Sequence, residues 1–397
     1  MRFPEFSGEW AKTTLGNIGD TFNGLTGKSG ADFGQGSPYI TYKSIFDNSR
    51  IDLTRVEFVT ISDQERQKET QNKVQFGDIF FTTSSETPEE VGMTSVLLDD
   101  IEDCYLNSFC FGYRLFAKDK TLPEYMRFYL RNQAIRKKLF VLAQGSTRFN
   151  ISKGEVMNVS VSLPETDEQK KIAKLLSLLE KRIDTQIKII EDLKKLKSAI
   201  SNSVFSLEPI TWRRLDSLFS KGKAGGTPTS TNKDYYDGNI PFLSINDITK
   251  QGKYICSTEN HISQLGLENS SAWIVPANSL ILSMYASVGL AAINKIPIAT
   301  SQAMFAMQLK DGKDIDFLYY YLTYFRYRHI HKYLETGTQS NINADIVRSI
   351  MIPDYGVARN REISNSLLAI DRKIDNESIV LDNYNATKQH LLSQMFI

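Results

Sequence analysis

The sequence contains an internal repeat that occurs in two copies. A series of features that begins near Trp10 begins again near Trp212, in the same order. The matched segments are 38–40 with 241–243, 77–81 with 278–282, 124–130 with 316–322, 145–147 with 337–339, and 150–151 with 341–342. A repeat of about half the chain is far too long for a solenoid. The sequence therefore predicts two related domains with pseudo-two-fold symmetry, which suits a ligand that itself has two halves.

Length and composition are those of a globular protein with two domains. At 397 residues the chain exceeds what one core covers, and its apolar fraction of 41% is ordinary. We expect no membrane span, because no apolar run approaches about 20 residues. The cysteines Cys104, Cys110 and Cys256 lack metal-binding spacing, so we expect reduced thiols, no metal site and a cytoplasmic location.

The net charge of +1 argues against a dedicated non-specific nucleic-acid binder, which would be more basic. A sequence-specific binder with clustered basic groups remains compatible with it, because local fields do not depend on the net charge.

The chain divides into two mixed domains, each followed by one long helix. The segments are 1–165, 166–207, 208–354 and 355–397. The first domain contains a helix-like run at 122–142. We predict the first long helix over 167–205, because Thr166 and Gln169 form a capping-box pattern and no proline follows until Pro209. The second long helix is expected from about Asn360 to the C-terminus.

Both long helices carry a heptad repeat of apolar residues. In the first helix the repeat is Leu176, Leu179, Ile183, Gln186, Ile190, Leu193, Lys197, Ile200 and Val204. In the second it is Leu367, Ile370, Ile374, Glu377, Leu381, Tyr384, Lys388, Leu391 and Met395. A spacing of 3.5 residues is typical of coiled coils. Each repeat has polar residues at the same two positions.

Three packing arrangements satisfy this pattern. Each helix could be a core helix of its own domain, the two helices could pair antiparallel within one chain, or two chains could form a parallel homodimer. We favour antiparallel pairing, because each helix is too long for one domain and a whole domain separates the two. Matching the helix centres then predicts Lys197 within about one turn of Glu377, and Gln186 within about one turn of Lys388.

These features together resemble the specificity subunits of type I restriction–modification systems. The resemblance covers essentially the whole chain. It is carried by the two-copy layout, the Glu168–Ala173 opening of the first long helix, the Gly225–Pro228 turn, the 77–81 strand and the Gly-Ser/Thr…Asn-Ile element before each helix. One departure is that Arg359-Asn360 stands where the first helix has Glu168-Gln169.

The resemblance implies an α+β fold with two globular α/β target recognition domains in tandem, each followed by a long helix, and an antiparallel coiled coil of the two helices. It also implies a bipartite, asymmetric duplex DNA target. The expected protein partners are two modification (methyltransferase) subunits and the restriction (translocase/nuclease) subunits. S-adenosylmethionine and ATP with Mg²⁺ are expected on those partners, and no cofactor on this chain.

Polar loops supply the candidate DNA contacts, since base reading needs hydrogen-bonding side chains and phosphate contacts need basic groups. In the first domain the candidates are Lys43, Ser44, Thr83, Ser84, Ser85, Gln144, Ser146, Thr147 and Arg148. In the second they are Asn246, Ser283, Tyr285, Ser287, Thr338, Gln339 and Ser340. The alternative interpretation of each is ordinary turn chemistry.

We expect a non-catalytic chain. Phe22 stands where a P-loop ending at Gly27-Lys28-Ser29 needs its first glycine, and no amino-methyltransferase or Gly-x-Gly-x-x-Gly motif occurs. Glu168-Gln169-Lys170 resembles a nuclease Glu-x-Lys but opens the first long helix. The alternative function is a coiled-coil interaction scaffold that does not bind DNA.

Overall fold

The structure is a computed structural model that describes residues 2–333 and 341–396. The chain forms two compact units. The first contains residues 1–187 and 380–397, and the second contains residues 188–379. Each unit holds one mixed domain together with a part of both long helices, so the units are described one after the other.

The first domain has eleven strands. They are β1 (Ala11–Thr14), β2 (Gly19–Asn23), β3 (Phe33–Ile40), β4 (Glu57–Val59), β5 (Ile79–Thr82), β6 (Ser84–Ser85), β7 (Thr94–Val96), β8 (Tyr105–Leu106), β9 (Cys110–Leu115), β10 (Phe149–Asn150) and β11 (Ser160–Leu163). Its helices are α1 (Leu15–Ile18), α2 (Tyr42–Asp47), α3 (Asp63–Lys68), α4 (Pro123–Tyr129), α5 (Gln133–Val141) and α6 (Lys153–Met157), and the long helix α7 (Thr166–Phe205) follows.

The described residues of the second domain form ten strands. They are β12 (Thr211–Arg214), β13 (Phe219–Ala224), β14 (Tyr236–Leu243), β15 (Tyr254–Ile255), β16 (Asn260–Ile262), β17 (Leu280–Ser283), β18 (Ala291–Asn294), β19 (Ala299–Thr300), β20 (Met304–Leu309) and β21 (Met351–Asp354). Its helices are α8 (Ile245–Gln251), α9 (Gln264–Glu268), α10 (Ile315–Arg328) and α11 (Ala344–Ser349), and the long helix α12 (Val357–Gln394) follows.

The two domains share one strand topology. The first has sheets in the order β2-β9-β5-β7, β4-β3-β8 and β1-β11, and the second repeats them as β13-β20-β17-β18-β15, β16-β14-β19 and β12-β21. Ala11 pairs with Leu163 as Arg213 pairs with Ile352, so in each domain the entering strand is bonded to the strand before the long helix. The duplication in the sequence is therefore a duplication of fold.

The helix-like run at 122–142 forms two helices, not one. Asn132 ends the run of helical hydrogen bonds, and its side chain accepts a hydrogen bond from the backbone N–H of Ile135 to start α5. A short polar side chain competes well for such a capping position, which the apolar pattern alone does not reveal.

The end of each long helix completes a domain core. In the first unit, Phe396 lies 5.8 Å from the rings of both Tyr125 and Tyr129. In the second unit, Phe205 lies 5.8 Å from the ring of Phe317 and 5.4 Å from that of Tyr321. Since these rings are buried, each helix end is fixed to a domain.

The openings of the two long helices use related contacts. The Gln169 side chain accepts from the N–H of Leu122 and donates to the carbonyls of Lys120 and Pro164, so it closes the domain surface and does not form the predicted capping box. At the matching position of α12, Asn360 accepts from the N–H of Tyr355 and donates to Asp354. The departure from Gln to Asn therefore keeps a buried amide.

Glu168 is a structural residue. Its carboxylate is buried and accepts from the Arg2 guanidinium at 2.8 and 2.7 Å. A bidentate pair of this kind stabilises the helix opening, and it explains the glutamate without nuclease chemistry.

The long helices pair antiparallel, as predicted. In the first unit the start of α7 lies with the end of α12, and in the second unit the end of α7 lies with the start of α12. The heptad positions of both helices are buried or half-buried, whereas the residues between them are mostly exposed. The apolar repeat therefore forms the interface between the helices.

Two polar clusters join the helices to the domains. In the first unit, Glu180 of α7 accepts from Lys388 of α12 at 2.7 Å and from Arg127 of α4. In the second unit, Asp371 of α12 accepts from Lys197 of α7, and from the Tyr320 hydroxyl of α10 at 2.7 Å. Each cluster is one carboxylate with one lysine and one domain donor, and we call them the helix clusters.

The predicted register of the helix pair is wrong. Lys197 forms an ion pair with Asp371, and Lys388 forms one with Glu180. The observed partners lie nearly two turns from the predicted ones, about 9 Å along the helix. The prediction aligned the centres of the two helices. In the structure, Phe205 and Phe396 insert into the domain cores, and this insertion fixes where each helix ends.

None of the helices formed by the described residues is both long and apolar enough to cross a bilayer.

We predict that Lys197→Leu destabilises the second unit by about 1–2 kcal/mol, because Asp371 would keep only the Tyr320 hydroxyl as a partner in a half-buried site. The calorimetric unfolding midpoint should fall by a few degrees. Lys195→Leu is the control, since Lys195 pairs only with Asp192 on the same exposed helix face and should change stability by less than about 0.5 kcal/mol. Equal effects of the two changes would contradict a stabilising role for the cluster.

Candidate nucleic-acid interface

The candidate site of the first domain begins where β5 leaves the sheet. The N–H and hydroxyl of Thr83 both donate to the carbonyl of Phe109, at 3.0 and 2.7 Å, and its carbonyl accepts from the N–H of Ile151. Thr83 thus ties three loops together. β6 then pairs antiparallel with β10, with Ser84 opposite Asn150 and Ser85 opposite Phe149.

A tight loop connects Gln144 to Asn150. The two residues exchange backbone hydrogen bonds of 2.9 and 2.8 Å, and Ser146, Thr147 and Arg148 lie exposed between them. Gly145 makes this possible, because its φ is 135° and a Cβ there would lie 2.1 Å from the carbonyl oxygen of Arg148. The Gly-Ser-Thr element is thus both a turn and a display of polar side chains.

Helix α2 forms the opposite side of the site. The Thr41 hydroxyl caps it by accepting from the N–H of Ser44, and the two hydroxyls lie 3.0 Å apart. The Tyr42 hydroxyl donates to the carbonyl of Ser84 at 2.6 Å, and its ring stacks on Phe46. Burial raises the pKa of Tyr42, which keeps the phenol protonated as a donor.

These elements enclose a cavity of about 350 Å³. Its lining consists of Tyr42, Phe46, Ser84, Ser85, Glu86, Glu90, Phe109 and Arg148. We call it the first-domain cavity. It brings together three of the predicted residues, Ser84, Ser85 and Arg148. Lys43 lies on α2 with its ammonium largely exposed beside Asp47, so it remains available to a phosphate.

Two of the predicted contacts in this domain serve its structure. The Thr83 hydroxyl donates to the carbonyl of Phe109. Ser85 is buried, and its hydroxyl donates to the Glu90 carboxylate at 3.1 Å. The sequence pattern missed Tyr42, Phe46 and Phe109. Phe109 is 61% exposed. The sequence signal for it was a phenylalanine that directly follows the polar pair Asn107-Ser108.

The second domain repeats the tie between loops. The N–H of Met284 donates to the carbonyl of Ala303, and its carbonyl accepts from the N–H of Ile342, as Thr83 does with Phe109 and Ile151. Tyr285 and Ser287 are exposed on this loop. The loop framework is the same in both domains, whereas the side chains that it displays differ.

Ser283 is buried at the end of β17. Its side chain is 0% exposed, and its hydroxyl donates to the carbonyl of Ser287 at 2.7 Å. In this structure the candidate DNA contact therefore satisfies the turn that follows a buried strand. Asn246 is exposed on α8 and donates to Glu259 at 2.8 Å. Thr338, Gln339 and Ser340 lie outside the described residues.

Comparison with known proteins identifies the family of these two domains. Residues 7–195 and 208–381 each match the family described as "Type I restriction modification DNA specificity domain". The chain belongs to this family. The two domains identify it as a specificity subunit of the type I restriction–modification kind.

Individual relatives of this specificity subunit differ in coverage. The MjaIX specificity subunit of Methanocaldococcus jannaschii is 27% identical over 38% of this chain and 36% of its own length, so the chain aligns with about a third of that relative. The putative MjaX specificity subunit of the same organism is 24% identical over 94% of this chain and 89% of its own.

A solved structure agrees in fold. The S subunit of a type I restriction–modification system from M. genitalium superposes with a TM-score of 0.59 at 14% identity, covering 100% of this chain and 99% of that one. The predicted fold class is thereby confirmed.

We predict that Ser283→Ala lowers the stability of the second unit by about 1 kcal/mol, because the hydrogen bond from its buried hydroxyl to the carbonyl of Ser287 is lost. The bases recognised should not change. Thermal unfolding and mapping of methylated sites would measure the two effects, with exposed Ser287→Ala as the matched control. A change of target sequence with Ser283→Ala and none with Ser287→Ala would reverse the assignment.

Proposed function

We propose that this specificity subunit reads a bipartite, asymmetric duplex DNA sequence, one half with each domain. The observation that carries the proposal is the repeated loop framework with unlike side chains. Thr83 and Met284 hold equivalent loops in equivalent places, yet Ser84 and Glu86 are displayed in one domain and Tyr285 and Ser287 in the other. Equal frameworks with different polar groups fit two half-sites of different sequence.

We also propose that the helix pair holds the protein partners. Two modification subunits and the restriction subunits are the expected partners, with S-adenosylmethionine, ATP and Mg²⁺ bound by them. The duplication supports two modification subunits, because each compact unit repeats the same association of domain, α7 and α12. The positions of α7 and α12 outside the heptads are largely exposed and available for such contacts.

The interaction scaffold without DNA binding is not favoured. Both domains match a DNA specificity family, and a pure scaffold does not account for equivalent loops that differ in their polar side chains.

We predict that the chain, assembled with modification subunits from its own host, binds its target duplex with a steep dependence on salt. Several phosphate contacts release counterions, so affinity should fall by about 10³-fold between about 50 and about 200 mM salt. Fluorescence anisotropy with target and scrambled duplexes measures this. Binding that ignores both salt and sequence would support the scaffold.

We predict that the domains are exchangeable readers. Replacing residues 208–354 by the equivalent domain of a relative should change one half of the methylated sequence and leave the other half intact, because the loops of the first domain are tied to one another by hydrogen bonds within that domain. The reciprocal exchange of residues 1–165 is the control and should alter the other half. A change of both halves in either chimera would contradict independent reading.

A further inference from the structure

The first-domain cavity places one acidic and one basic side chain across from each other. β6 and β10 pair with Ser84 opposite Asn150 and Ser85 opposite Phe149. One further step of this antiparallel register brings Glu86 opposite Arg148. Both side chains line the cavity.

Both groups are available to a ligand. Among the described residues Glu86 and Arg148 form no ion pair and no side-chain hydrogen bond, with each other or with any neighbour. The adjacent Glu90 differs, because it accepts from the buried hydroxyl of Ser85. The two residues are also exposed, so that neither is committed to the fold.

Aromatic rings surround this pair. Tyr42 and Phe46 stack with centroids 5.9 Å apart, and the exposed ring of Phe109 lies on the cavity lining. Apolar walls exclude water from polar groups that a ligand brings into the cavity, and hydrogen bonds made there become stronger.

We propose that Glu86 and Arg148 read a G·C base pair in the half-site bound by the first domain. In the major groove this pair shows two acceptors, guanine N7 and O6, beside one donor, the cytosine N4 amino group. The Arg148 guanidinium matches the two acceptors, and the Glu86 carboxylate matches the donor. This assignment rests on the proposed DNA-reading function and adds the base identity.

An A·T pair fits the same two side chains poorly. Its single major-groove donor, adenine N6, lies between the acceptors adenine N7 and thymine O4. An ionised carboxylate has no hydrogen to donate, so it would face those acceptors without compensation. The carboxylate therefore excludes A·T as well as selecting G·C.

On the described part of the second domain, the loop that matches Glu86 carries Tyr285 and Ser287, which offer hydroxyls in place of a carboxylate. Substitution of Glu86 should therefore affect one half-site, and the other half-site serves as an internal reference.

Glu86→Gln tests the proposal in the full chain co-expressed with the modification subunits of its host, with mapping of methylated sites. We expect one G·C position of the first half-site to lose its preference by about tenfold or more, and the second half-site to stay unchanged. Glu89→Gln is the matched control. It removes the same charge from the same loop, but Glu89 does not line the cavity.

A chemical test separates direct reading from an indirect effect. Replacing the cytosine by a pyrimidinone that lacks the N4 amino group should weaken binding of the unchanged protein about tenfold and leave binding of a Glu86→Ala variant, which has no side-chain acceptor, nearly unaffected. A first half-site without any G·C pair, or equal losses for both proteins, would overturn the proposal while leaving the proposed function intact. Absence of any sequence-specific binding would overturn both.

Discussion

The association of domains and helices depends on a carboxylate shared between a lysine and a domain side chain. Glu180 with Lys388 and Arg127, and Asp371 with Lys197 and Tyr320, are the same device built twice. The same number of residues separates Glu180 from Asp371 as separates Lys197 from Lys388. A half-buried charge that loses its partner is costly, so these contacts discriminate against slipped registers that an apolar heptad alone tolerates.

Apolar side chains supply the affinity between the helices, and the helix clusters supply the alignment. Leucine and isoleucine at heptad positions pack nearly as well after a shift of one heptad. Phe205 and Phe396 also prevent such a shift, because each of them packs into a domain core and so fixes the end of its helix. Register is therefore set by the domains and the polar contacts together.

The sequence alone predicted the duplication, the long helices and their antiparallel pairing, because each rests on a repeated pattern of residue types. It did not predict the register, since nothing in the heptads reveals that Phe396 packs against Tyr125. It named Ser84 and Arg148 as candidates on two separate loops, and both line the first-domain cavity. It did not reveal the burial of Ser283 or the position of Phe109, because burial at a strand end and proximity across loops depend on the tertiary fold. Glu86 adjoins the predicted residues Thr83, Ser84 and Ser85, but its proximity to Arg148 depends on the pairing of two distant strands.

The insertion of Phe396 has a consequence for biosynthesis. The first domain leaves the ribosome early, yet one of the rings that fills its core follows the whole second domain in the chain. The second domain has no such delay, because Phe205 precedes it in the chain. Domains usually complete their folding in the order of synthesis; here the core of the first domain is completed only after the second has been made. Until Phe396 has been added, Tyr125 and Tyr129 lack the ring that packs against them.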